Sequence, residues 1–120
     1  MIKFSNSGDS ILWSTFLDYY VEPVSIDMNK VGQLYIGENA DGNLTTTPDA
    51  YQRSLYGYWD AFVLVLSSDG SSIPHATYIG GRVDKGTYDL VLDENGNPWI
   101  VGGTTSFDYP HTISKYIFYH

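Results

Sequence analysis

The chain repeats itself, and that limits its possible folds more than any other feature. The stretch "SNSGDSILWSTFL" at residues 5–17 is rewritten as "SSDGSSIPHATYI" at residues 67–79. Gly8 and Gly70, Ile11 and Ile73, Thr15 and Thr77, and Leu17 and Ile79 are each 62 positions apart. Further on, "GQLYIG" at residues 32–37 matches "GNPWIV" at 96–101, with Gly32 and Gly96 64 positions apart, and Tyr51 matches Tyr116 at a spacing of 65. The added residues are expected in connecting loops, where insertions disturb little. A unit recurring at this spacing is one supersecondary motif that buries its faces against its neighbours.

The residues filling the unit are those of short strands. Eleven Tyr, five Phe and three Trp lie with Val, Ile and Thr in brief runs between Gly, Asn, Asp and Ser clusters, and a helical period is missing. Strands are expected at residues 2–4, 11–17, 24–28, 33–37, 61–66, 75–79, 88–92 and 99–102, with a weaker candidate at 116–119. "DENGN" at 93–97 and "SSDGSS" at 67–72 supply hairpin turns, the first through Asn95 and Gly96 at positive φ, and "MNKVGQ" and "SNSGDS" are their counterparts in the other copy. The expectation is an all-β chain of four-stranded antiparallel meanders, the form of β-propeller blades.

Charge and composition exclude some functions. Six Lys and Arg against 14 Asp and Glu leave a net charge of −8, and the scattered Lys30, Arg53, Arg82 and Lys85 form no basic patch, so a nucleic-acid partner is not expected. Cysteine is absent, which removes disulfides and thiolate metal sites and leaves the compartment open. "IKFSNSGDS" after Met1 has no signal-peptide pattern, and no apolar run reaches the roughly 18 residues of a membrane span. A soluble protein is expected.

The runs "GNPWIVGGTTSFDYP", "TTTPDAYQ", "DAFVLVLSSDGSS" and "ATYIGG" resemble the SBBP-type β-propeller repeat, a bacterial blade motif, in order and approximate spacing over nearly the whole chain. "IKFSNSGDSILWSTFLDYY" departs from it by lacking the Gly-Gly found at Gly80 and Gly81, and "GENADGN" replaces the usual Thr/Ser-rich loop. The resemblance implies a propeller-like architecture and an extracellular or cell-surface setting rather than any chemistry.

With strands named a to d from the inside outwards, the chain reads as a c–d half blade at residues 2–17, a full a–b–c–d blade at 18–81 and an a–b half blade at 82–120. That is a single unit of about two blades with complementary ends. A propeller takes about 4–8 blades, so the unit is expected to close head to tail as a homo-oligomer, three copies giving six blades or four giving eight, or to belong to a longer array.

Few residues suggest chemistry. Asp93, Asn95 and Asn97 alternate like calcium ligands, but Gly96 stands fourth and residue 104 is Thr, where that loop wants Gly sixth and Glu twelfth, so a turn explains them. No metal, cofactor or catalytic residue is assigned. His75 corresponds to Trp13, and a position held by His in one copy and Trp in the other suits packing or surface contact better than a catalytic base. The candidate ligand contacts are aromatic: Tyr56, Tyr58 and Trp59 in "SLYGYWDAF", with Trp13 and His75. Tyr35 and Trp99 are expected at the contact between blades. The expected function is a non-enzymatic binding or scaffold module. The alternative is a lectin-like protein with saccharide sites between blades formed by Trp13, Trp59 and His75, and a hydrolase would need a cleft with converging carboxylates.

Overall fold

The computed structural model describes residues 1–18, 20–81, 84–108 and 110. Eight strands account for its regular structure: β1 (Ile2–Phe4), β2 (Ile11–Ser14), β3 (Val21–Met28), β4 (Leu34–Ala40), β5 (Asp60–Leu66), β6 (His75–Ile79), β7 (Asp84–Leu92) and β8 (Pro98–Thr104). They form three separate antiparallel sheets, β1–β2, β3–β4–β5–β6 and β7–β8. The candidate strand at 116–119 lies outside the described residues.

The repeat is visible in the strand registers. Lys3 pairs with Trp13 as Val65 pairs with His75, and Ile26 pairs with Ile36 as Leu90 pairs with Ile100. It is also visible in the turns. Gly32 N–H donates to Asn29 O (3.1 Å) and Asn29 N–H to Gln33 O (3.0 Å), while Gly96 donates to Asp93 O (3.0 Å) and Asp93 to Asn97 O (3.0 Å). Gly8 and Gly70 close the other pair of turns on Ser5 O and Ser67 O, both at 2.9 Å. Each turn places its glycine at positive φ, between 72° and 84°.

Asn95 does not share that conformation: among the described residues only glycines have positive φ. The loop is therefore a tight turn followed by one left-handed glycine, not two consecutive positive-φ residues. Its Asp93 carboxylate accepts the backbone N–H of Asn95 and of Asn97, both at 2.9 Å. Self-capping of this kind is what makes Asp and Asn good turn formers.

Five strands exceed expectation, β5 by Asp60 alone and β8 by running from Pro98 to Thr104, and β3, β4 and β7 do so most informatively. β3 starts at Val21 despite Pro23, because β3 is an edge strand and an edge position does not require the missing N–H. β4 runs on to Ala40, so "GENA" is strand and not loop. β7 starts at Asp84, and its register shifts between Asp84 and Gly86 and again between Thr87 and Asp89 hide the alternation that marks a strand. The β3–β4 ladder has one such shift, between Pro23 and Ser25. One added residue of the second copy is thus a bulge at Lys85 inside β7, not a loop insertion. β2 is shorter than expected and ends at Ser14, where its ladder to β1 ends.

The four-stranded sheet lies between the two hairpins. One face carries Ile36, Ala40, Phe62, Leu64, Leu66, Ala76 and Tyr78, with Met1 and Leu17 from the β1–β2 side packed against it. Phe62 and Tyr78 meet edge to face at 4.9 Å. The other face receives β7: the Asn39 carboxamide oxygen accepts the Thr87 N–H (2.6 Å), and the Ser25 hydroxyl donates to Asp89 (2.6 Å). Every residue of β5 is buried, which explains its continuous apolar run "AFVLVL". A strand covered on both faces has no solvent side to alternate towards.

Candidate functional site

The loop before β5 is held by a buried polar network. The Asp60 carboxylate accepts Tyr56 N–H (2.8 Å), Gly57 N–H (3.3 Å) and the Gln52 carboxamide N–H (2.9 Å). Gln52 in turn accepts Gly80 N–H at its side-chain oxygen (2.9 Å) and donates its backbone N–H to the Thr77 hydroxyl (3.1 Å). This anchors the loop on β6 and leaves Tyr56, Tyr58 and Trp59 on the outside, with Tyr58 82% exposed. The three aromatics share one short segment at one end of the central sheet.

Trp13 and His75 lie at the opposite end. The Trp13 ring packs against Gly70 in the β5–β6 turn, where a Cβ on the glycine would fall 2.8 Å from it. His75 opens β6 opposite Val65, five residues along β5 from Asp60, or about 17 Å at strand rise. Trp59 and His75 therefore do not converge on one ligand-sized site within the chain, while Trp13 and His75 are both close to the β5–β6 turn.

His75 Nδ1 is 3.1 Å from the Asp49 carboxylate and 3.4 Å from the Thr47 hydroxyl, which itself donates to Asp49 at 2.7 Å. Both partners meet the same ring nitrogen, so carboxylate and hydroxyl are not on opposite sides of the imidazole as a base-and-orienter arrangement requires. The Thr47 hydroxyl also accepts Ala76 N–H (3.1 Å), and Thr47 N–H donates to Ala76 O (3.1 Å). The group fastens the 44–49 segment to the β6 edge. Hydrogen bonds from Thr47 first, then His75, hold the Asp49 carboxyl below its usual range.

A cleft of about 460 Å³ separates the β3–β4 and β7–β8 turns, lined by Asp27, Asn29, Lys30, Asp93, Glu94 and Asn95 among others. Two of its three carboxylates, Asp27 and Asp93, are committed to the protein. Asp27 accepts Leu92 N–H and Met28 N–H, both at 2.8 Å, and Asp93 accepts the Trp99 indole N–H (3.1 Å) in addition to its turn. These bonds lower both carboxyls from the ordinary value, Leu92 contributing most at Asp27 and Trp99 most at Asp93. Among the described residues no group of three or more His, Asp or Glu side chains is arranged to hold a metal ion, and no helix is long and apolar enough to cross a membrane.

Glu38 was not anticipated. It lies in the inward row Leu34–Ile36–Glu38–Ala40 of β4, is 1% exposed, and its Oε1 is buried without a hydrogen-bond partner. It lines a pocket of about 180 Å³ with Asp18, Leu17, Val21, Leu44, Phe62 and other residues. Burial first, and the negative Asp18 second, push its carboxyl up to about 7. The sequence signal was the row itself, with one charge in an otherwise apolar alternation, but it is visible only once "GENA" is taken as strand.

The remaining feature is at the two ends. Among the described residues β8 pairs only with β7, and β1 only with β2. Both hairpins carry exposed apolar side chains: Val91, Trp99 and Val101 on β7–β8, and Ile2, Phe4 and Leu12 on β1–β2. Trp99, expected at a contact between blades, is 67% exposed, while its counterpart Tyr35 is half-buried in the central sheet. No family model, curated protein or solved structure matches this chain.

Proposed function

We propose that the chain is a non-enzymatic binding or scaffold module of β-propeller type. Its three sheets are then consecutive blades, one whole and two half, and further blades come from copies of the same chain. The observation supporting this most directly is the two-four-two division of a repeated sequence: each terminal hairpin is the counterpart of half of the central sheet and carries an exposed apolar face. Three copies supply six blades and four supply eight, both within the usual range for a closed ring. Mass measurement in solution at micromolar concentration tests it, with a trimer or tetramer expected. A stable monomer removes the ring.

The cluster of Tyr56, Tyr58 and Trp59 supports a second reading as a carbohydrate-binding protein, because exposed aromatic faces with polar tips stack on sugar rings. The contacts then come from this loop, with Trp13 and His75 belonging to a different surface. A glycan array combined with quenching of Trp fluorescence tests it. Binding abolished by Trp59→Ala supports the loop, and a blank array leaves the scaffold.

A further inference from the structure

We infer that the occupant of both ends is a second copy of this chain, docked in one register: β1 of one copy adds to the edge of β8 in the next, which is unpaired among the described residues, and completes a four-stranded sheet β7–β8–β1–β2. The inference rests on the assembly reading above and specifies its interface. The template is inside the chain. β4 and β5 pair as Leu34 with Leu66, Tyr35 with Val65, Ile36 with Leu64 and Gly37 with Val63. β8 is the repeat of β4, and β1 the repeat of β5. Transferring the pairing sets Pro98 opposite Phe4, Trp99 opposite Lys3, Ile100 opposite Ile2 and Val101 opposite Met1 across two copies.

Three independent placements agree with that register. First, the transfer puts Trp99 on the same face of the new sheet as Lys3 and Trp13, and this is the face that looks onto the central sheet, as the contact of Trp13 with Gly70 shows. Trp99 and Val101 then cover Ile26 and Met28 of β3, two large apolar side chains more than half exposed in the single chain.

Second, a hollow of about 280 Å³ lies beside the open edge of β8, lined by Ala61, Ile79, Thr87 and residues 100–104. A strand added to β8 runs across it. The buried Thr87 hydroxyl in its wall has no hydrogen-bond partner. Third, the side chain that the repeat delivers there is Phe16, the counterpart of Tyr78. Tyr78 is part of the apolar cluster against which Leu17 packs, and Leu17 is the counterpart of Ile79 in the wall of the hollow. Phe16 is 70% exposed in the single chain.

A strand edge unpaired among the described residues, an exposed apolar face on each partner and the hollow beside β8 are thus accounted for by one docking. Strand addition at an exposed edge is an established mode of recognition. Because the partner is the same chain, each copy offers one donor and one acceptor end, and the contact propagates head to tail.

The chain contains no cysteine, so engineered pairs report without background. Two double variants test the register, Lys3→Cys with Trp99→Cys and Ile2→Cys with Ile100→Cys. Neighbouring antiparallel pairs alternate between wide and close spacing, so at least one of the two meets disulfide geometry. Lys3→Cys with Val91→Cys is the out-of-register control. Mild oxidation is expected to give covalent oligomers from at least one test pair and none from the control. Phe16→Glu is expected to reduce the native mass to that of one chain while its β-sheet circular dichroism persists. If the unmodified chain is monomeric, the assembly reading falls together with this one. If it assembles but neither test pair crosslinks, or the control crosslinks equally, assembly stands and this register is wrong.

Discussion

At the scale of single residues, the fold carries a charge conflict in one strand and resolves several others. Glu38 is the conflict, a carboxyl in an apolar row with an unpartnered buried oxygen. Its folded value of about 7 lies above the 4.5 of the free side chain, so the sign follows from linkage. Below about pH 4.5 both states are protonated. Between there and about 7 the unfolded chain gives up a proton that the folded chain keeps, so stability falls as pH rises, by roughly 3 kcal/mol at most, and then levels off. Glu38→Gln is expected to flatten that window and to exceed the parent in urea midpoint at pH 8 but not at pH 4.5. Glycines give a second test. Gly8 and Gly70 have the same left-handed backbone, yet a Cβ at Gly8 meets nothing within 4 Å while one at Gly70 strikes Trp13. Gly8→Ala should lose only the conformational strain, about 1–2 kcal/mol, and Gly70→Ala more, with a change in Trp fluorescence that Gly8→Ala lacks. The glycine turns were legible in the sequence because Asp69-Gly70 and Asn95-Gly96 stand between apolar runs. Glu38 was not, because its meaning depends on where β4 ends.

At the scale of elements, the sequence located strands well where alternation is regular and poorly where the ladder is interrupted. β6 coincides with its expected span because His75–Ile79 is bounded by Pro74 and Gly80, whereas the first four residues of β7 were missed because two register shifts break its period. The loop carrying Tyr56, Tyr58 and Trp59 was recognised as aromatic-rich, but what holds it was not legible. Asp60 and Gln52 are eight positions apart and meet only when the loop folds back onto β6. Asp60→Ala leaves at least three donors without their carboxylate. Each buried orphan costs about 1–3 kcal/mol, so the loop is expected to detach before the central sheet melts. Limited trypsin digestion should report this as faster cleavage after Arg53, with the parent chain and Tyr58→Ala both resistant at the same enzyme ratio.

At the scale of the whole molecule, two forces oppose each other. Exposed apolar faces on both hairpins favour association, at roughly 25 cal/mol for each Å² removed from water, and a strand edge unpaired among the described residues adds to the tendency. Against this stands a net charge of −8 on every copy, so bringing copies together concentrates negative charge in one particle. The docked surfaces named above are apolar, with Lys3 their only charged side chain, so local ion pairs do not offset the long-range repulsion. Screening decides the balance: the Debye length is about 30 Å at 0.01 M salt and about 8 Å at 0.15 M. Assembly is therefore expected to tighten as salt rises, with the dissociation constant falling by about tenfold or more over that range, the reverse of an interface held by salt bridges. Sedimentation velocity over a salt series measures it directly. A weakening with salt would mean that the copies meet through charged groups elsewhere on the surface and that the apolar hairpin faces are not what joins them.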